Sequence, residues 1–203
     1  MAGPVKVTGP RLLVVEGWND RAFYYALMDH LGMEKPQILT TEGRTPMASF
    51  LGDLPADAAG FRKVVGSMGV IADADNSPQA AFASLCGGLR QGGLAVPERP
   101  GEWAGERPRV GVFLQPRQGQ AGMLETLLNE AVMTDEAFAC IDPFLECVRG
   151  LRAPPKNLTK ARAQAYLASR EEPGLSIGVA AQKGYWNFEH PAYAEVKAFL
   201  KTL

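Results

Sequence analysis

Cysteine is scarce in this sequence, which has only Cys86, Cys140 and Cys147. An odd number with no Cys-x-x-Cys pair argues against a disulfide framework and against a zinc ribbon, so the thiols are expected to be reduced and half-buried. Histidine is scarcer still, and His30 and His190 are isolated, as surface or capping residues are rather than metal ligands. No stretch reaches the roughly 18 consecutive apolar residues of a membrane span. The opening "MAGPVKVTGP" has no apolar core of the kind a secretory leader carries. A cytoplasmic chain without a membrane partner is the expectation. There is no excess of basic charge either, the formal net charge being −1. A global field that attracts nucleic acid is therefore absent, and an anionic partner must be held by a local patch or a metal. A G-x-x-x-x-G-K-[ST] loop is also missing, which argues against ATP hydrolysis by this chain. Internal repeats and low-complexity tracts are absent.

What is present is 203 residues with 46% hydrophobic content, enough for one substantial core and a single domain spanning 1–203. "RLLVVEG" is a continuous apolar run between Pro10 and Gly17, suited to a strand covered on both faces. Asn19 is placed to cap the helix "DRAFYYALMDHLG", which ends at Gly32. "PQILTTEG" is a second short strand, "PMASFLGDL" a short helix, and "KVVGSMGVIADAD" a third strand. Ser77 and Pro78 then fill the cap and first position of a helix running to about Leu89. "RQGGLAVPERPGEWAGERPR" reads as a loop or irregular hairpin, "RVGVFLQP" as a fourth strand, and "MLETLLNEAVM" as a helix. Beyond it the chain is mostly helical, with breaks at "APPKN" and "EEPGLSIG". The alternation predicts an α/β fold: a mainly parallel four-stranded, Rossmann-like sheet flanked by helices, with a mostly helical extension over about 131–203.

In open parallel sheets, sites lie beyond the carboxyl ends of the strands. Glu16 closes the first strand, and Asp73 and Asp75 close the third. Strand alternation sends residues two apart to one side, so Asp73 and Asp75 are expected to point together. Asp20, in the first turn of the first helix, is placed to lean toward the same edge. Carboxylates gathered this closely repel one another unless a cation joins them. An oxygen-only donor set favours Mg²⁺ or Mn²⁺, which commonly serve phosphate substrates. Gly17 permits a tight turn and close approach of a ligand. The competing reading keeps Glu16 in solvent and uses Asp73 and Asp75 in Asx-turns.

From Arg149 to Arg162 the chain carries Arg149, Arg152, Lys156, Lys160 and Arg162 without an acidic residue between them. This is either a solvated helix face or a nucleic-acid-binding patch. "KGYWNFEHPAY" gathers Tyr185, Trp186, Phe188 and Tyr193 beside Lys183. Such a cluster fits a core lid or subunit contact better than a stacking surface for bases.

"VVEGWND", followed about fifty residues later by the hydrophobic run into "DAD", resembles the Toprim domain of topoisomerases, primases and OLD-family nucleases. The Glu-Gly-x-x-Asp form is more similar to the OLD branch. The resemblance covers roughly residues 10–130 and implies a Toprim-like fold with a stand-alone arrangement. It makes Glu16 a general acid/base or metal-binding glutamate, Asp20 the additional OLD-like carboxylate, and Asp73 and Asp75 the Asp-x-Asp metal ligands. It also matches Glu125 to an extra glutamate for a second metal, and Lys160, in competition with Lys156 and Lys183, to a lysine near the scissile phosphate. The chain lacks the ATPase, the tyrosine-bearing domain and the zinc-binding domain that accompany Toprim in its relatives, so it acts alone or with a partner such as a separate ATPase or a second copy.

The expected function is therefore Mg²⁺- or Mn²⁺-dependent phosphodiester chemistry, as an OLD-like nuclease acting on nucleic acid, DNA before RNA. The alternative is a non-catalytic Toprim-like module that binds metal and nucleic acid within a repair or defence assembly. A receiver-like domain fits less well, because no lone acceptor aspartate ends a central strand.

Overall fold

A computed structural model describes residues 7–43, 45–54 and 59–203. Residues 1–6, part of the opening stretch read above for a leader, lie outside the described residues. Five strands form one sheet in the order β2-β1-β3-β5-β4. β1 (Arg11–Val15), β2 (Gln37–Thr40), β3 (Ser67–Asp73) and β5 (Arg109–Gln115) run parallel, and β4 (Trp103–Ala104) adds a short antiparallel edge. The expectation of four strands thus missed one. β4 lies inside the Gly- and Pro-rich stretch read as a loop or irregular hairpin, and two residues are too few to display a period. Trp103 is held by stacking on Phe199 at 4.9 Å between ring centroids, and Gly111 on the facing strand leaves room for its indole.

The apolar runs are continuous because both faces of the sheet are covered. Leu13, Val15, Ile71 and Phe113 turn to one face. There they meet α1 (Trp18–His30), α5 (Leu124–Val132) and the later helices α6 (Phe138–Arg149), α7 (Leu158–Ala168), α8 (Ile177–Gln182) and α9 (Ala194–Lys201). Leu12, Val14, Met68, Val70, Val112 and Leu114 turn to the other face. There they meet α2 (Met47–Gly52), α3 (Ala59–Val64) and α4 (Pro78–Gln91). Among the described residues, no helix is long and apolar enough to cross a membrane.

Several boundaries differ from the expectation for identifiable reasons. α1 begins at Trp18 with Gly17 as its cap residue, so Asn19 sits inside the first turn. The third strand begins at Ser67: Lys63 and Val64 end α3 and Val65 lies in the link, although the two valines resemble a strand entrance. Ser77 caps α4 as expected, its hydroxyl accepting from the Ala80 N–H at 3.2 Å. The thiols are free, but none is half-buried in the expected way: Cys86 is buried, and Cys140 and Cys147 are exposed on α6. The aromatic cluster near the C-terminus is core. Trp186, Phe188 and Tyr193 are buried, and the Trp186 indole N–H donates to the Ile177 carbonyl at 3.1 Å. His30 meets Glu189 at 2.8 Å, and the His190 Nδ1 accepts from the Ala192 N–H at 3.2 Å, capping a short turn.

Candidate metal centre

Three neighbouring parallel strands end in polar residues. Glu16 follows β1, Asp73 ends β3, and Gln115 ends β5, paired in register with Asp73. The loops that leave these ends enclose a cavity of about 370 Å³, lined by Glu16, Trp18, Asp20, Asp73, Glu125 and Lys160 among others. Its size falls within the range of roughly 300–1,000 Å³ typical of ligand sites. α1 contributes Asp20 from its first turn, α5 contributes Glu125 from its own first turn, and α7 contributes Lys160. α7 starts where it does because the Asn157 side chain accepts from the Lys160 N–H at 2.9 Å.

The carboxylates are cross-tied. Glu16 Oε1 accepts from the Asp73 backbone N–H at 3.1 Å. Asp73 Oδ1 accepts from the Leu124 N–H at 3.0 Å and from Gln115 Nε2 at 2.7 Å. The same Gln115 nitrogen reaches Asp20 Oδ1 at 3.2 Å. Gln115 is fully buried, and its other end accepts from the Tyr24 hydroxyl at 2.6 Å. The two carboxylates set the amide orientation: ionised, they only accept, so the nitrogen faces them and the oxygen faces the phenol, which can donate.

Burial raises the pKa of Glu16, Asp20 and Asp73, and mutual repulsion adds to it. Asp73 is pushed up to about 8 by burial first and the neighbouring Glu16 second, against the lowering effect of the Gln115 hydrogen bond. Asp20 is raised by burial, with the charge of Glu125 adding to it. Lys160 Nζ stands 3.9 Å from Glu125 Oε1 and keeps much of its side chain in solvent.

Asp75 departs from the expected pairing. β3 ends at Asp73, and Asp75 adopts a left-handed backbone with φ 48°. The strand alternation that would align the two carboxylates is broken there. Asp75 is held by reciprocal backbone bonds with Gly122 at 2.8 and 2.7 Å, and its side chain is exposed outside the cavity lining. Its charge still acts on Glu16. Gly17 has an extended backbone, φ −137° and ψ 176°, so no turn demands glycine there. A Cβ at that position would instead lie 3.3 Å from Asp20 Oδ2, so the glycine leaves space for that carboxylate.

Of the lysines in competition, Lys160 lines the cavity. Lys183 pairs with Glu172, and Lys156 is exposed in the loop before α7. The basic run is divided. Arg162 pairs with Asp142 at 2.7 Å and Arg149 with Glu146 at 3.2 Å, so two of its charges are met by α6. Arg152 and Lys156 are exposed.

A protein-family model described as a protein of unknown function (DUF3226) matches residues 10–203. The chain belongs to this family. No curated protein and no solved structure matches it. The DUF3226 match runs from the first strand through the last helix, so the helices that carry Glu125 and Lys160 belong to the same unit of sequence as the strand ends that carry Glu16 and Asp73.

The donor set can be tested against a cation on its own chemistry. Among the described residues, no group of three or more carboxylate, imidazole or thiol side chains is already arranged around a metal position. The cavity's acidic groups are oxygen donors only, and Mg²⁺ keeps several waters while taking one or two carboxylates directly. Part-buried carboxylates whose pKa values are raised by burial and by one another gain most from a nearby positive charge. The residues therefore fit a hydrated Mg²⁺ or Mn²⁺ and do not fit zinc.

Gln115 carries no signal in the sequence, yet it touches two of the three part-buried carboxylates. Replacing it with methionine keeps the volume, removes the donor and leaves the Tyr24 hydroxyl without its acceptor. A loss of about 1–3 kcal/mol is expected from the orphaned buried groups, read as a drop of several degrees in thermal denaturation. An unchanged midpoint would remove Gln115 from the network.

Proposed function

We propose that this DUF3226 member is a Mg²⁺- or Mn²⁺-dependent nuclease with a Toprim-like core, closest in its motifs to the OLD branch. One observation carries the reading: Glu16, Asp20 and Asp73, all with raised pKa, share a cavity with Glu125 and Lys160 at the carboxyl edge of a parallel sheet. Glu16, Asp73 and Asp20 would hold a hydrated ion, one or two of them directly and the rest through its waters, and Glu125 would serve a second. Such an ion, when bound, supplies an activated water and charge stabilisation at phosphorus. Gln115 orients Asp73 and Asp20 through one nitrogen. Glu16, with its raised pKa, is placed to hold or pass a proton. Lys160 brings a mobile positive charge to the cavity mouth, where it would neutralise charge on the transferring phosphate. Arg152 and Lys156, exposed in the loop before α7, would add positive charge for a nucleic-acid backbone.

The second reading is a binding module without turnover. It draws on the exposed Arg152 and Lys156 before α7, which could hold an anionic partner without chemistry in the cavity.

Cleavage of single-stranded and duplex DNA in Mg²⁺, Mn²⁺ and EDTA by wild type and Glu16→Gln separates the two. Metal-dependent cleavage by wild type, lost in Glu16→Gln, is expected. Activity retained by Glu16→Gln would assign any cleavage to another protein or another site, and binding without cleavage would select the module.

A further inference from the structure

The cavity's rim carries an aromatic side chain that lies outside the hydrophobic core. Trp18 lines the carboxylate cavity and is 57% exposed, whereas Trp186 is buried and Trp103 is stacked on Phe199. An indole exposed to this extent beside a polar cavity is unusual, since tryptophan is mostly buried on average. It is also not alone. Trp18, Arg21 and Tyr25 recur at helical spacing along α1 and so share a face. The Arg21 guanidinium lies 5.1 Å from the Trp18 ring centroid and 5.6 Å from the Tyr25 ring centroid. The Lys35 ammonium lies 5.5 Å from the same Tyr25 ring centroid and also pairs with Asp29 at 2.8 Å. A track of alternating rings and cations therefore leads away from the carboxylates.

Rings that accept the flat faces of bases, interleaved with cations that meet phosphates, are what an unpaired strand needs. A duplex offers its base faces to nothing outside the stack. We propose that Trp18 is the stacking platform for an unpaired base of a single-stranded nucleic acid, whose adjoining phosphate enters the carboxylate cavity and whose flanking backbone follows Arg21 along α1. The inference rests on the nuclease reading for the cavity, and it adds the strandedness of the substrate and the residue that recognises it. Because stacking is indifferent to the sugar, DNA and RNA share this chemistry, and the test distinguishes them.

Short oligo-dT, oligo-U and a blunt duplex are titrated into wild type, Trp18→Ala and Trp18→Phe, with calcium present to offset the carboxylates. Binding is followed by fluorescence anisotropy of a labelled strand and by intrinsic tryptophan emission. Quenching of the wild-type emission by single strands is expected, with affinity falling about 10- to 100-fold in Trp18→Ala and largely restored in Trp18→Phe. Preference for oligo-dT or for oligo-U then names the source of the strand. Equal single-strand affinity in wild type and Trp18→Ala, equal binding of the duplex, or no binding by wild type overturns the proposal. Cleavage in Mn²⁺ on the same samples keeps the two claims apart. Cleavage unaffected by Trp18→Ala defeats stacking and leaves the nuclease reading standing, whereas Trp18-dependent binding without cleavage does the reverse.

Discussion

Asp73→Asn is expected to abolish metal-dependent cleavage while making the metal-free protein more stable at alkaline pH. The two effects have one cause. Asp73 is part-buried beside Glu16 and Asp20, and its carboxyl is pushed from an ordinary 3.8 to about 8. The folded protein thus holds this proton more tightly than the unfolded chain does. By linkage, the stability associated with the bound proton is fully present below about pH 4 and is lost as pH rises to about 8. Asparagine is isosteric and neutral, and its side-chain oxygen can still accept from Gln115 Nε2 and the Leu124 N–H. In EDTA at pH 8 and above, the variant should gain about 1–3 kcal/mol over wild type, the scale seen when an uncompensated buried charge is replaced. At pH 5 most of the gain should be gone, and below about pH 4, where the folded and the unfolded wild type are both protonated at this position, it should disappear. Cleavage should fall on the order of 10³- to 10⁴-fold, as when a member of a cooperating catalytic set is removed. Thermal denaturation across pH in EDTA and a cleavage assay in Mn²⁺ check the two halves. A variant that is inactive and also less stable than wild type at pH 8 would mean that Asp73 is held by the fold for packing, and that its charge is already compensated.

Lys160→Ala is expected to lower the cleavage rate about 10²- to 10³-fold, the usual effect of removing one group that stabilises transition-state charge, with metal affinity unchanged within a few-fold. Lys160 approaches the cavity from α7, and its nearest carboxylate is Glu125 at 3.9 Å. That separation is too long for a close ion pair, so the ammonium is not committed to Glu125 and the fold loses little without it. Its side chain is largely solvated, which fits a group that meets an incoming phosphate. Lys160→Arg should recover part of the rate, because the charge is kept while the point geometry is not. Single-turnover cleavage beside calorimetric metal binding separates rate from affinity. Loss of metal binding in Lys160→Ala would make Lys160 a structural partner of Glu125. Loss of rate in Lys183→Ala on the same scale would return the role to a competing lysine, although Lys183 is engaged by Glu172.

The parts of the site that the sequence displays are those fixed by strand ends. Glu16 and Asp73 interrupt apolar runs, and parallel strands bring such interruptions to one edge. Asp20 follows from one turn of helix. Asp75 was paired with Asp73 by assuming that the strand continues, and a left-handed residue two positions on is a local backbone event that alternation does not reveal. Gln115 was invisible for a different reason. A glutamine before proline looks like the beginning of a solvated turn, and its burial depends on Tyr24, 91 residues away in sequence. The same holds for the rings. The sequence concentrates aromatics near the C-terminus, where they fill the core, and the exposed Trp18 stands singly in "EGWND" without a period to mark it. Of the fold, the alternation of strands and helices was legible, together with the parallel sheet. The two-residue strand β4 and the short helix α3 were not, because neither is long enough to display its own period.

These carboxylates are expected to bind a divalent cation. Calorimetric titration of Mn²⁺ into wild type and Asp73→Asn at pH 8 and pH 6 tests it. Because the cation must displace the Asp73 proton, wild type should bind at pH 8 and about tenfold or more weakly at pH 6, and Asp73→Asn should bind at neither. Binding of equal strength in wild type and Asp73→Asn, or no binding by wild type at pH 8, would contradict it.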